Sequence, residues 1–280
     1  MTVPSRPDQV PGVAAGRLDT SVMHPARRYN YWLGGKDNFA ADRESGDQIA
    51  AVYPAIRTVA RENRAFLRRA VRFLAAEAGI RQFLDIGTGI PTADNTHEVA
   101  QAVAPDSRIV YVDNDPMVLV HARALLTSSV AGATAYLDAD LRDPDRILAD
   151  PELRRILDLS RPVALMLIAV LHFLGDDDGP YDVVARLVDA LPSGSYLALT
   201  HFTTDFLAAD VTERASTQFA GGRRPDGNPR SRAEIERFLG GLAPVEPGVV
   251  PASEWRPEVP ADQLPPLHEA SIYGVVARKP

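Results

Sequence analysis

The apolar positions of this chain change period partway along it. Between residues 46 and 78 they fall at Ile49, Val52 and Ile56, then at Val59, Phe66, Ala70, Phe73 and Leu74. That approximates the three-to-four spacing of one helix face, with arginines opposite, and Pro54 breaks or starts a helix within it. From residue 82 short apolar runs take over, at 82–86, 108–112, 133–137, 163–168 and 195–200. Residues 95–103, 116–128, 142–159 and 181–191, lying between them, have helical spacing or helix-forming composition. Strand followed by helix, repeated, predicts an α/β domain whose mostly parallel sheet is covered on both faces. Beyond residue 203 the pattern loosens. Residues 221–227, rich in glycine and arginine, read as a loop, 232–239 as a short helix, and 244–250 and 272–277 as strands.

Composition narrows the class. The 280 residues are enough for one large core, and 45% hydrophobic with 24% charged residues is ordinary for a globular protein. A net charge of −7 argues against a nucleic-acid or anionic-membrane partner, because both begin with phosphate neutralisation. With no cysteine there is no disulfide, thiolate nucleophile or thiolate zinc site, which fits a reducing cytoplasm. The longest apolar run, 163–171, is too short to span a bilayer. Residues 1–22, rich in proline and glycine and without a signal-peptide pattern, read as a disordered leader.

The chemistry sits at the ends of the apolar runs. The first continues into Asp85-Ile86-Gly87-Thr88-Gly89, and glycines at the carboxyl end of a first parallel strand permit a tight turn and close ligand approach. Asp113 ends the second run, where a carboxylate can accept both ribose hydroxyls, and Asp140 follows the third, where one can accept from the adenine amino group. Each aspartate taken alone is more often a solvated turn or a cap; three in order after three strands point to adenosine. A dinucleotide normally needs a third glycine where Thr92 stands, and Asp85, Asp113, Asp115, Asp138 and Asp140 crowd the rim with negative charge. That suits a cation, and S-adenosylmethionine (SAM) carries a sulfonium and an ammonium.

These strings resemble the motifs of class I SAM-dependent methyltransferases. DIGTG is similar to their first motif, Val112-Asp113 to their ribose acid and Ala139-Asp140-Leu141 to their adenine segment. More narrowly, YNYWLGGKDNFAADRE, FLDIGTGIPT with NTHEVAQ, and YVDNDP resemble a mainly actinobacterial family of S-adenosyl methyltransferases, from about residue 23 onward. The resemblance implies a Rossmann-like, seven-stranded, mostly parallel sheet with an antiparallel last strand, in a domain over 79–280. It also implies SAM across Asp85, Gly87, Gly89, Asp113, Asn114, Asp140 and Leu141, and methyl transfer. Asn114 departs from the apolar residue usual after the ribose acid, so Met117 is a candidate for the stacking contact. Residues 23–78 then form an N-terminal helical lid. In that lid Trp32 and Leu33 give apolar cover, Gly34 and Gly35 a hinge or close approach, and Lys36 or Asn38 a polar contact to the methionine carboxylate. The alternative is a glycine-interrupted helix packed on the sheet edge.

A general base is needed only if the acceptor loses a proton. His172 and His201 follow the fourth and fifth runs on the ligand side, with Tyr31 as a third candidate; each histidine is otherwise a hydrogen-bonded core residue. His97 belongs to a helix start with Asn95 and Glu98. Asp176-Asp177-Asp178 reads as a solvated loop, so no metal is expected. The expectation is a methyltransferase acting on a small-molecule acceptor, with no nucleic-acid or membrane partner and no oligomeric state read. The alternative is a SAM-binding sensor or partner-binding protein without turnover, lacking an accessible pocket beside the methyl group; an NAD-dependent oxidoreductase comes third.

Overall fold

The computed structural model of the chain describes residues 19–118, 129–220 and 227–280. Its centre is a sheet of strands β1 (Gln82–Ile86), β2 (Arg108–Asp113), β3 (Ala133–Asp138), β4 (Ala164–Ile168), β5 (Tyr196–Phe202), β6 (Ala243–Pro244), β7 (Val250–Pro251) and β8 (Ile272–Arg278), ordered β3-β2-β1-β4-β5-β8-β6 with β7 also on β8. The first five strands pair in parallel and β8 runs antiparallel to β5. Eight strands stand where seven were expected. The predicted run 244–250 is two short pieces, pairing with Arg278 and Ala277 at one end of β8 and with Gly274 and Tyr273 further along.

Every residue of β1 and β4 is buried, as a strand covered on both faces requires. Alternate side chains feed two cores. Leu84, Val110, Leu165 and Leu199 face one, while Phe83, Ile109, Met166 and Ala198 face the other. The second core is closed by α3 (Ile56–Ala76), whose Phe66, Ala70 and Leu74 are fully buried on its apolar stripe. Phe66 meets the buried Trp255 with ring centroids 5.3 Å apart, and its truncation to alanine is expected to cost about 3–5 kcal/mol.

Ahead of α3 lie α1 (Pro25–Trp32) and α2 (Ala40–Val52), so the predicted helix is divided at Pro54. The other helices are α4 (Thr96–Val103), α5 (Pro144–Ala149), α6 (Pro151–Ile156), α7 (Pro180–Asp189), α8 (Ala209–Ala220) and α9 (Arg232–Glu236), the last followed by a 3₁₀ turn over Arg237–Leu239. The single helix expected over 142–159 is split because Asp143 and Asp150 each cap a new start, accepting from the amides of Arg146 and Glu152. Helix α8 occupies part of the stretch read as loosened, with an Asp210–Arg214 pair one turn apart. Of the helix expected at 116–128 only its start is described, and residues 1–18 of the leader and 221–226 of the glycine-rich loop lie outside the described residues. Among the described residues no helix is long and apolar enough to cross a membrane.

Candidate active site

Strand order reverses at β1, which has β2 on one side and β4 on the other. The crevice outside the carboxyl ends of strands at such a point is where open α/β sheets take ligands. Here it is a cleft of about 580 Å³, reaching from Asp140 and Leu141 past Asp85 to His172, Phe202 and Ile272, and roofed by α1 and α3.

The half over β1–β3 is built from the predicted aspartates and glycines. Gly87 leaves β1 at φ +75° with its backbone against Val170, where a β-carbon would come within 2.3 Å of Val170 Cγ2. Asp113 Oδ2 accepts the Gly89 amide at 2.8 Å and its Oδ1 the Asp115 amide at 2.9 Å, so the glycine turn and the end of β2 hold each other. Asp85 is buried and accepts from Thr96 Oγ1 at 2.6 Å. Burial pushes its pKa up to about 6 against the pull of Thr96 and Arg64. Burial also raises that of Asp113, opposed by its two amide donors. Asp140 resists its partial burial: the Arg142 amide, Asn114 Nδ2 and the Arg142 guanidinium hold its pKa below the ordinary value. Asn114 thus lines the cleft while orienting Asp140. Met117 is buried with Ile90 and Val118 away from the cleft, and the apolar lining beside the aspartates includes Ile86, Ala139 and Leu141.

Across β4 and β5 the walls turn apolar. Trp32, Ile56, Val59, Phe202 and Ile272 line this half, with His172 at its edge. His172 is half-buried, and its Nδ1 is enclosed without a hydrogen-bond partner among the described residues. Burial, then the nearby His201, Arg28 and Arg230, hold its pKa well below the ordinary value, so the ring is neutral at pH 7. Beneath lies a closed polar chain. Tyr29 Oη donates to the Ala60 carbonyl at 2.9 Å and accepts from Asn63 Nδ2 at 2.8 Å, while Thr200 Oγ1 donates to Asn63 Oδ1 and accepts the Ala169 amide. Ala169 sits at φ +53° immediately after β4.

Besides Met117, the predicted residues His201, Tyr31, Lys36 and Asn38 lie off the cleft. His201 is fully buried: its Nδ1 donates to the Phe202 carbonyl at 2.8 Å, and its Nε2 accepts from Arg230 at 3.0 Å. Burial, reinforced by Arg230, takes its pKa down to about 3. Tyr31 points to Asp47, donating at 2.7 Å. Lys36 is exposed. Asn38 donates to Asn30 Oδ1 and the Gly35 carbonyl. The WLGGK turn is instead wound around Asn30, and a β-carbon on Gly35 would lie 2.3 Å from the Asn30 amide nitrogen. Trp32 does line the cleft, with its Nε1 donating to Gly46. Asp176–Asp178 form an exposed 3₁₀ turn in which Asp176 pairs with Arg230. Among the described residues no three His, Asp or Glu side chains converge as metal ligands.

Several cleft residues escaped the sequence reading. Arg28, Tyr29, Asn63 and Arg64 all line it. His24 Nδ1 lies 3.0 Å and Arg27 Nε 3.3 Å from Asp115 Oδ2, tying α1 to the turn after β2. Asn63 had a signal: it falls between Val59 and Phe66 on an otherwise apolar stripe.

The donor set fits an adenosine ligand bearing positive charge. Three carboxylates offer acceptors, whose second lone pairs remain available, to hydroxyl and amino donors, and a buried acid near pKa 6 is stabilised in its ionised form by a cation. A family model described as S-adenosyl methyltransferase matches residues 11–280. Among solved structures, a DUF574 family protein from Streptomyces avermitilis is 50% identical, over 94% of this chain and 99% of that one, with a TM-score of 0.89. A Thermobifida fusca protein named as a candidate methyltransferase is 46% identical over 93% and 96%, with a TM-score of 0.84. The fold recurs at 12% identity in magnesium protoporphyrin IX methyltransferase from Synechocystis, crystallised with S-adenosylhomocysteine, over 90% of this chain and 93% of that one, with a TM-score of 0.50. No curated protein matches. The chain belongs to the S-adenosyl methyltransferase family and is a SAM-dependent methyltransferase.

Proposed function

We propose that the enzyme methylates a small molecule in the cytoplasm, with the cofactor over β1–β3 and the acceptor in the apolar half beside His172. The observation that carries this reading is the continuity of the cleft, in which the aspartate-and-glycine rim opens directly into an apolar lobe. A sensor without turnover is expected to lack an accessible lobe beside the methyl group.

Bound SAM supplies a methyl group on a sulfonium, an activated leaving group. The protein's part is then to bind, align and exclude water. Asp113 accepts the ribose hydroxyls while its amide bonds keep the carboxylate aimed. Asp140, oriented by Asn114 and Arg142, accepts from the adenine amino group. Asp85 faces the cationic end, and Arg64, which lines the cleft, takes the role of carboxylate partner first given to Lys36 or Asn38. Trp32 and the α1 roof keep water from the transfer. His172 is the side chain placed to hydrogen-bond the acceptor.

The test is transfer of labelled methyl from SAM into an actinobacterial cell extract, separated afterwards into small molecules, protein and nucleic acid. The proposal expects enzyme-dependent label among the small molecules. Label confined to either macromolecular fraction contradicts it.

A further inference from the structure

The acceptor half of the cleft has a chemistry of its own. Phe202 and Ile272 stand opposite one another on β5 and β8, two and three strands across from β1 and four residues beyond the register of Asp85, or roughly 16–20 Å from it. Around them Ile56, Val59 and Trp32 complete an apolar enclosure. Its polar floor is already occupied, because Tyr29, Asn63 and Thr200 bond to one another and to backbone. His172 Nδ1, by contrast, is buried and has no hydrogen-bond partner among the described residues.

Charge restricts the acceptor further. The carboxylates that line the cleft among the described residues, Asp85, Asp113 and Asp140, belong to the cofactor half, so no described carboxylate in the apolar half neutralises a cation. Arg28 lines the same cavity, its guanidinium 5.2 Å from the centre of the Trp32 ring, and Arg230 lies behind His201. An ammonium is therefore disfavoured, and a polyol would leave several hydroxyls facing apolar walls.

Resting on the cofactor assignment above, we propose that this half takes a flat, mainly apolar, aromatic acceptor carrying an acidic hydroxyl, a phenol or enol, hydrogen-bonded to the His172 imidazole. In the transfer the acceptor oxygen forms its bond to the methyl carbon as the carbon–sulfur bond breaks, leaving that electron pair on sulfur, which becomes a neutral thioether. The hydroxyl proton passes to the imidazole and from there to water. A neutral imidazole whose pKa is held down by burial and by His201, Arg28 and Arg230 is a weak base. It matches a hydroxyl with a pKa of about 10, whose anion the cleft-lining Arg28 stabilises, far better than an aliphatic alcohol.

Calorimetric titration of the full chain, with and without saturating S-adenosylhomocysteine, tests this with 2-naphthol as probe and 2-naphthylmethylammonium as its cationic counterpart. The expected result is micromolar-range binding of 2-naphthol to the complex and at least tenfold weaker binding of the ammonium. In His172→Asn, naphthol affinity falls about tenfold while S-adenosylhomocysteine affinity stays within twofold. His172→Gln serves where the asparagine variant does not bind S-adenosylhomocysteine. The proposal is overturned if the wild type binds S-adenosylhomocysteine but not naphthol, if the ammonium binds as tightly, or if the histidine variants retain naphthol affinity. Failure to bind S-adenosylhomocysteine at all removes the cofactor assignment instead, and this inference with it.

Discussion

Thr200 Oγ1 donates to Asn63 Oδ1 at 2.5 Å, joining the end of β5 to the middle of α3. Through Tyr29 on one side and the Ala169 amide on the other, this bond connects the helical roof to the turn that carries Val170 and His172. Replacing Asn63 by alanine removes two buried hydrogen bonds and leaves a small void. Stability is expected to fall by about 2–3 kcal/mol, seen as a lower denaturation midpoint with unchanged slope. An unchanged midpoint would show the chain to be incidental.

The WLGGK turn gives a second expectation. Gly35→Ala forces a β-carbon onto Asn30 and should destabilise the protein by at least about 1 kcal/mol. Lys36→Ala and Tyr31→Phe, both altering side chains off the cleft, should leave S-adenosylhomocysteine affinity within twofold by calorimetry. A large loss in Lys36→Ala would restore the lysine as a ligand contact.

Asp85 gives a pH dependence. Its pKa of about 6, against an ordinary 3.8, means that the folded protein keeps a proton the unfolded chain releases between those values. Stability from this group therefore falls as pH rises from 4 to 6, by on the order of 3 kcal/mol in total, and Asp85→Asn should abolish that slope in denaturant titrations at successive pH values. A bound cation favours the ionised form, so SAM affinity should rise with pH up to about 6 and then level off. Affinity that is flat from pH 5 to 7.5 would separate Asp85 from the cationic end of the ligand.

His172 and His201 act in the opposite sense. Burial lowers both pKa values, that of His201 to about 3, so the folded state resists protons that the unfolded chain takes up below about 6.5. Their contribution is complete above that pH and is lost as pH falls toward 3. In Asp85→Asn the melting temperature should therefore drop monotonically on acidification. An Asp85→Asn, His201→Asn double variant should show a shallower drop, and an equal drop would remove His201 from the account.

Much of this was legible in the sequence because strand periodicity and strand ends are local properties. Apolar runs closed by Gly87, Asp113 and Asp140 mark where parallel strands stop, and the crevice forms at those stops. Side-chain direction is not local, which is why Lys36, Asn38, Tyr31 and His201 were grouped with the site although packing turns them elsewhere. His201 follows the apolar run of β5 just as His172 follows β4, and only Arg230, from 29 residues later, decides that His201 is occupied. Residues 244–250 read as one strand because the run is continuous in sequence, whereas only its two ends pair with β8. Asn63 could have been found as a polar residue on an apolar stripe, whereas the arginines of α3 gave no hint that Arg64 alone among them reaches the cleft.

The central claim is most directly tested by calorimetric titration of SAM and S-adenosylhomocysteine into the wild type and Asp113→Ala, with NADH as control. Micromolar-range binding of both compounds, reduced at least tenfold by the substitution and absent for NADH, is the result the site geometry predicts. A folded wild type that binds neither compound, or that binds NADH in their place, would contradict it.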